Sequence, residues 1–191
     1  EEEAVADALY EERDRLSPWA NAFLALTFER ITPGTAQAGT LLSDLGSQAV
    51  RSATGAHWEA QDSLSERRHM MTTLSNSAIV LYALARQDPG SPLVADALRY
   101  LMSNRQADGA WISSHSTAWT LMALAEVIRG TGELGGDFAF SASLNGSILA
   151  SGEAAGPGAS NPVQSAAGLG SLRSDLPNTL SIAREDGSGR L

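Results

Sequence analysis

Three histidines, His57, His69 and His115, are the only imidazoles in the chain, and there is no cysteine. A zinc site needs three or four ligands, and nothing in their spacing brings these three together. His57 and His115 each lie beside a Gly-x-Trp sequence, with Glu59 close to His57, and a structural or surface role is the simpler reading. Ser113, Ser114, Ser116 and Thr117 surround His115. A serine nucleophile needs a sharp elbow or a remote base and acid, but no Gly-x-Ser-x-Gly occurs. Ser116 and Thr117 read instead as caps at a helix start. The glycine-rich stretches Gly130–Gly136 and Gly152–Gly158 have neither the lysine nor the strand-then-helix setting of a phosphate loop. Trp19, Trp58, Trp111 and Trp119 could line a carbohydrate cleft, but their helical or loop placement favours packing.

Charge narrows the function classes further. The 191 residues carry 13 Lys+Arg against 22 Asp+Glu, a formal net charge of −9. Nucleic acid and anionic membrane both demand a positive footprint, so neither is an expected partner. Glu66-Arg67-Arg68-His69 is too short and too well balanced by nearby acid to supply one. No run of 18 apolar residues is present, so no spanning helix is expected. No leader-like segment opens the chain, and its start at Glu1 points to a processed chain or an excised piece of a larger one. No cofactor and no catalytic activity are implied.

The elements that would hold these residues fall into two parts, 1–132 and 137–191. The first reads as six helices. Residues 4–16 carry Ala4, Val5, Leu9 and Leu16 on one stripe. The second helix opens at Ser17–Pro18, an N-cap followed by a proline at the first helical position, and carries Trp19, Ala22, Phe23 and Leu26 inward. The third covers 35–50, with Ala38, Leu41, Leu42, Leu45 and Ala49 inward. The fourth covers 70–86. The fifth starts after Ser91 with Val94, Ala97, Leu98 and Leu101 inward, and the sixth runs from Ser116 or Thr117 to Gly130. Beyond the Gly-rich break the period changes to two. Phe138, Phe140, Ala142 and Leu144 alternate, and Asn145-Gly146 then signals a hairpin. Residues 151–170 read as a loose loop, and Leu176, Leu180 and Ile182 as a last strand or two. So few strands make a poor independent domain.

A repeat is written into the helical part. Ala78-x-x-Leu81-x-Ala83-Leu84-Ala85 recurs as Ala118-x-x-Leu121-x-Ala123-Leu124-Ala125, 40 residues on, with a weaker copy at Ala22–Leu26. The loops before the two clear copies also match, as Gly55-Ala56-His57-Trp58 and Gly109-Ala110-Trp111. A helix pair, a Gly-x-Trp loop and a further pair make a helical repeat. Helices two, four and six would form one layer, and one, three and five the other. Periodicity leaves open whether the layers stack or close into a ring.

The stretch from Ala97 through Asp108-Gly109-Ala110-Trp111 to Ser116-Thr117-Ala118-Trp119 and Glu126 resembles the late part of the thioester domain of alpha-2-macroglobulins and complement proteins. Trp58 through Leu84 and Ser17 through Val50 resemble the hairpins before it. The segment from Asn145-Gly146 to Gly187-Ser188-Gly189 resembles the β segment next to this domain in bacterial members. His115 and Ser116 stand where the family usually has Thr and Gln. The resemblance implies a mainly α fold, a partial α/α toroid of helical hairpins with a small C-terminal β segment belonging to a β-sandwich-like domain. It also implies a protease-trapping parent, extracellular or periplasmic, in which this piece is non-catalytic scaffold. The family's Cys–Gln thioester has no counterpart in a chain without cysteine. A truncated toroid would expose apolar faces at its cut edge, a surface for self-association. Two other readings stand beside this one, a helical-repeat interaction module and a toroid enzyme. The enzyme reading is disfavoured because the inner helices offer mainly Ala, Leu and Ser rather than carboxylates.

Overall fold

The computed structural model describes residues 2–61, 63–132, 136–155 and 163–188. The chain is mostly helical, with a small antiparallel β segment at its C-terminal side, and contacts divide it into two units, 1–131 and 132–191.

The first unit runs α1 (Glu2–Glu11), a 3-10 turn (Arg13–Arg15), α2 (Pro18–Ile31), α3 (Ala36–Gln48), β1 (Val50–Ser52), β2 (Gly55–His57), α4 (Leu64–Arg68), α5 (Thr73–Gln87), α6 (Pro92–Ser103) and α7 (Ser114–Thr131). Proline opens both α2 and α6, behind the N-caps Ser17 and Ser91, where its missing N–H costs no helical bond. Thr35 caps α3 by accepting from Ala38 N at 3.4 Å. Thr72 and Ser75 form a reciprocal capping box at the head of α5.

Helix α5 is the centre of this unit. Ser75 through Leu81 and Ala83 through Ala85 are buried, and a helix buried nearly all round must lie among others. It packs on α2, α6 and α7. Helices α2 and α7 also meet, through Phe23 and Trp119 with ring centroids 5.4 Å apart. The main core gathers Leu45, Trp58, Ile79, Leu81, Leu101 and Val127. A smaller cluster of Ala6, Leu24, Ala25, Phe28, Ala38 and Leu41 joins α1, α2 and α3.

Three local features depart from the sequence reading. The third helix stops at Gln48 rather than 50, because Ala49 leaves the helical region (ψ 123°). The chain then turns back as the hairpin β1–β2, with Val50 opposite His57. The first helix ends at Glu11, and its expected inward residues Val5 and Leu9 are 57% and 44% exposed. Ala6 is the buried residue of that helix, because α1 packs on the rest of the unit chiefly through α2. The short helix α4 is an addition to the six expected helices; five residues are too few to show a 3.6-residue period.

The second unit is a three-stranded antiparallel sheet of order β4-β3-β5, with β3 (Asp137–Leu144), β4 (Ser147–Ala155) and β5 (Leu180–Ser188). Asn145 and Gly146 take φ of +54° and +86°, the two left-handed residues a tight hairpin turn requires. The expected loop over 151–170 is corrected at its start, since β4 continues through Ala155. Residues 156–162 of that expectation lie outside the described residues. Leu176 precedes the last strand rather than joining it. Phe138, Phe140, Ala142 and Leu144 share one face with Leu180 and Ile182. Those two side chains are 58% and 59% exposed, so the apolar face is incompletely covered.

Candidate functional site

The Gly55–Trp58 and Gly109–Trp111 loops are built on one plan, the first with one more residue between glycine and tryptophan. Trp58 is fully buried and Trp111 nearly so. Each indole N–H donates to a main-chain carbonyl near the end of the preceding helix, Trp58 Nε1 to Leu45 O and Trp111 Nε1 to Leu101 O, both at 2.7 Å. Each tryptophan backbone N–H donates to a hydroxyl in the first turns of a later helix, Trp58 to Ser77 Oγ of α5 and Trp111 to Thr117 Oγ1 of α7, both at 3.0 Å. Ser77 and Thr117 are themselves 40 residues apart. One residue thus ties the end of one helix to the start of a later one, through its indole N–H and its backbone N–H, and its side chain fills the gap between them. A buried indole combines a large apolar surface with a polar edge that needs a partner.

The glycines make the approach possible. Gly55 and Gly109 have φ of +118° and +88°. A Cβ at Gly55 would overlap the Asp96 carbonyl oxygen and come within 2.7 Å of Tyr100 N, both on the α6 backbone. A Cβ at Gly109 would meet only the Arg105 side chain, with Nη2 2.9 Å away.

Hydroxyls join the heads of α5 and α7. Helix α7 begins at Ser114, two residues before the expected start. Ser113 Oγ accepts from Ser116 N at 3.1 Å, as a capping side chain does. Ser116 and Thr117 are therefore the third and fourth residues of the helix rather than its N-cap. The Ser116 hydroxyl is buried, accepts from Ser113 Oγ at 3.1 Å and lies 3.3 Å from Thr72 Oγ1 of the neighbouring cap. Thr117 Oγ1 receives the tryptophan N–H instead. Sequence reasoning missed Ser113, Ser77 and the two leucine carbonyls. The 40-residue repeat, extended by one more position, would have paired Ser77 with Thr117.

The imidazoles are each held by a different aromatic. His57 stacks on Tyr100 with centroids 4.6 Å apart, His115 Nε2 accepts from Trp119 Nε1 at 3.2 Å, and His69 lies 5.3 Å from Trp19. Burial pushes the Tyr100 phenol above its ordinary range, and the Glu59 charge adds to this. Glu66 is a buried carboxylate that accepts from Trp19 Nε1 at 3.2 Å. No group of three or more His, Cys, Asp or Glu able to hold a metal ion occurs among the described residues. No helix among them is long and apolar enough to cross a membrane.

Paired helices, repeated tryptophan ties and linked hydroxyl caps define a helical-repeat domain, here followed by a β unit. The A-macroglobulin TED domain model matches residues 4–127, and the chain belongs to that family. No curated protein matches the chain.

Proposed function

We propose that this chain is a non-catalytic scaffold segment of an alpha-2-macroglobulin-like protease trap, with α2, α5 and α7 forming the inner layer of an α/α toroid and α1, α3 and α6 the outer. The observation that carries the reading is the duplicated tryptophan tie, which fixes two successive outer-to-inner joints with the same four hydrogen-bonding groups inside the region that matches the TED family. Two apolar stripes support the toroid. On α7, Ala118, Leu121, Met122 and Ala125 share a face, and Leu121 and Met122 are 55% and 47% exposed. On α1, Val5 and Leu9 are also exposed. Both are the kind of surface against which further helices of a ring pack.

In this reading the partners are proteases, engaged through a larger parent in an extracellular or periplasmic setting. Chemistry on the attacker, where it occurs, comes from groups outside this chain, which holds no cysteine. The test is on the parent protein. Methylamine opens a thioester and frees about one thiol per chain, and a trapped protease loses activity on large substrates while keeping it on small ones. Thiol release together with that split supports a covalent trap. The split without thiol release supports a non-covalent trap. Unchanged cleavage of large substrates would overturn the reading.

A further inference from the structure

The last turns of α2, α5 and α7 each carry one arginine: Arg30, Arg86 and Arg129. The negative end of a helix dipole favours a cation there, and that accounts for one basic residue per helix. It does not account for where they point. All three line a single cavity of about 550 Å3, together with Leu26, Glu29 and Tyr82.

Three guanidiniums around one space repel unless negative charge answers them; the three helix ends supply about half a charge each, and the side-chain anions add little. Arg129 is committed to Glu126, which it meets by hydrogen bond and ion pair. Glu29, the one carboxylate in the lining, accepts from Gly34 N at 3.1 Å through Oε2. Among the described residues Arg86 reaches only the Tyr82 hydroxyl, at 3.4 Å. Arg30 makes no ion pair among the described residues. A chain of net charge −9 thus gathers two incompletely answered guanidiniums and a third, paired one around a single opening.

We propose that this cavity binds a small, multiply charged oxyanion, a phosphate ester or a polycarboxylate. Both present the oxygen pairs that a guanidinium fork grips through two parallel hydrogen bonds. Arg30 and Arg86 supply the forks, the Tyr82 hydroxyl a further donor, and Leu26 with the Tyr82 ring a wall for the carbon part of the ligand. The site is separate from the tryptophan ties and does not depend on the trap reading.

Calorimetric titration of pyrophosphate and of citrate into the full 191-residue chain at about 50 mM ionic strength, where screening is modest, tests this. The expected result is saturable binding of one or both anions in a 1:1 ratio. The pyrophosphate and citrate arms separate a phosphate site from a carboxylate site. R30Q and R86Q each weaken binding about tenfold, as loss of a charge-assisted hydrogen bond does. R86K keeps the charge without the fork and falls between. E29Q, which removes the lining negative charge, tightens binding about threefold or more. Far-UV circular dichroism is unchanged throughout, since Arg30 and Arg86 are exposed. Absence of saturable binding by either anion at millimolar concentration overturns the proposal. So does binding that survives in the R30Q/R86Q double variant.

Discussion

The two tryptophan ties are alike in sequence but unequal in what holds the carbonyl at the far end, and this sets a measurable order. Trp58→Phe and Trp111→Phe each remove an indole N–H bonded at 2.7 Å and leave a small void. The packing loss is about 1–2 kcal/mol in either case. The carbonyls then differ. Leu101 O also accepts from Asn104 N at 3.2 Å and keeps that bond. At the end of α3, by contrast, the C-cap residue Ala49 donates no backbone bond into the helix. Leu45 O therefore depends more heavily on the indole, in a site where Trp58 is fully buried. An unsatisfied buried acceptor costs about 1–3 kcal/mol, whereas removing one of two bonds costs about 1 kcal/mol. The expected losses are about 3 kcal/mol for Trp58→Phe and about 2 kcal/mol for Trp111→Phe. Urea unfolding followed by far-UV circular dichroism reads the first unit, because all seven α-helices among the described residues lie in it. With a urea slope of about 2 kcal/mol/M, the Trp58→Phe midpoint should fall about 0.5 M below that of Trp111→Phe. Equal midpoints, or the reverse order, would refute the assignment of different roles to the two carbonyls.

The paired glycines give a second ordered comparison. Gly55→Ala should cost about 3 kcal/mol or more, because its Cβ meets α6 backbone at a φ of +118°. Gly109→Ala should cost about 1–2 kcal/mol, since only a flexible arginine must move; thermal unfolding ranks them. The raised Tyr100 pKa means the folded state holds that proton longer than the unfolded chain. The stabilisation is full below the ordinary phenol pKa near 10 and is lost as pH rises through the raised folded value. Tyr100→Phe should therefore flatten the fall in stability above about pH 10, measured by urea midpoints across that range. In the β unit, Asn145 sits at φ +54°. Its Nδ2 donates to Ser171 O and Asn178 Oδ1, while its Oδ1 accepts from Thr179 N at 3.0 Å. Asn145→Ala should leave amides 171–180 exchanging about tenfold faster or more while the helical unit is unchanged. Equal protection in both proteins would show that the loop is held by something else.

Sequence by itself determined the parts of this protein whose physics is local. Proline after serine placed the starts of α2 and α6 because φ and the missing N–H are properties of single residues. Asn145-Gly146 placed the hairpin because few residue pairs accept two left-handed conformations in succession. The matching Gly55-Ala56-His57-Trp58 and Gly109-Ala110-Trp111 sequences, each ahead of one copy of the helical repeat, placed both tryptophans in equivalent loops although they lie 53 residues apart. Tertiary structure decided the rest. The stripe on α1 looks like any core stripe, yet Val5 and Leu9 remain exposed, since periodicity records which residues share a face and not whether anything covers it. The partners of the indoles are main-chain carbonyls 13 and 10 residues away, and main-chain atoms carry no sequence signature. The arginine cavity is likewise a matter of convergence. Arg30, Arg86 and Arg129 are far apart in the chain and each is ordinary in its own last turn. Only the packing of α2, α5 and α7 brings them to one space.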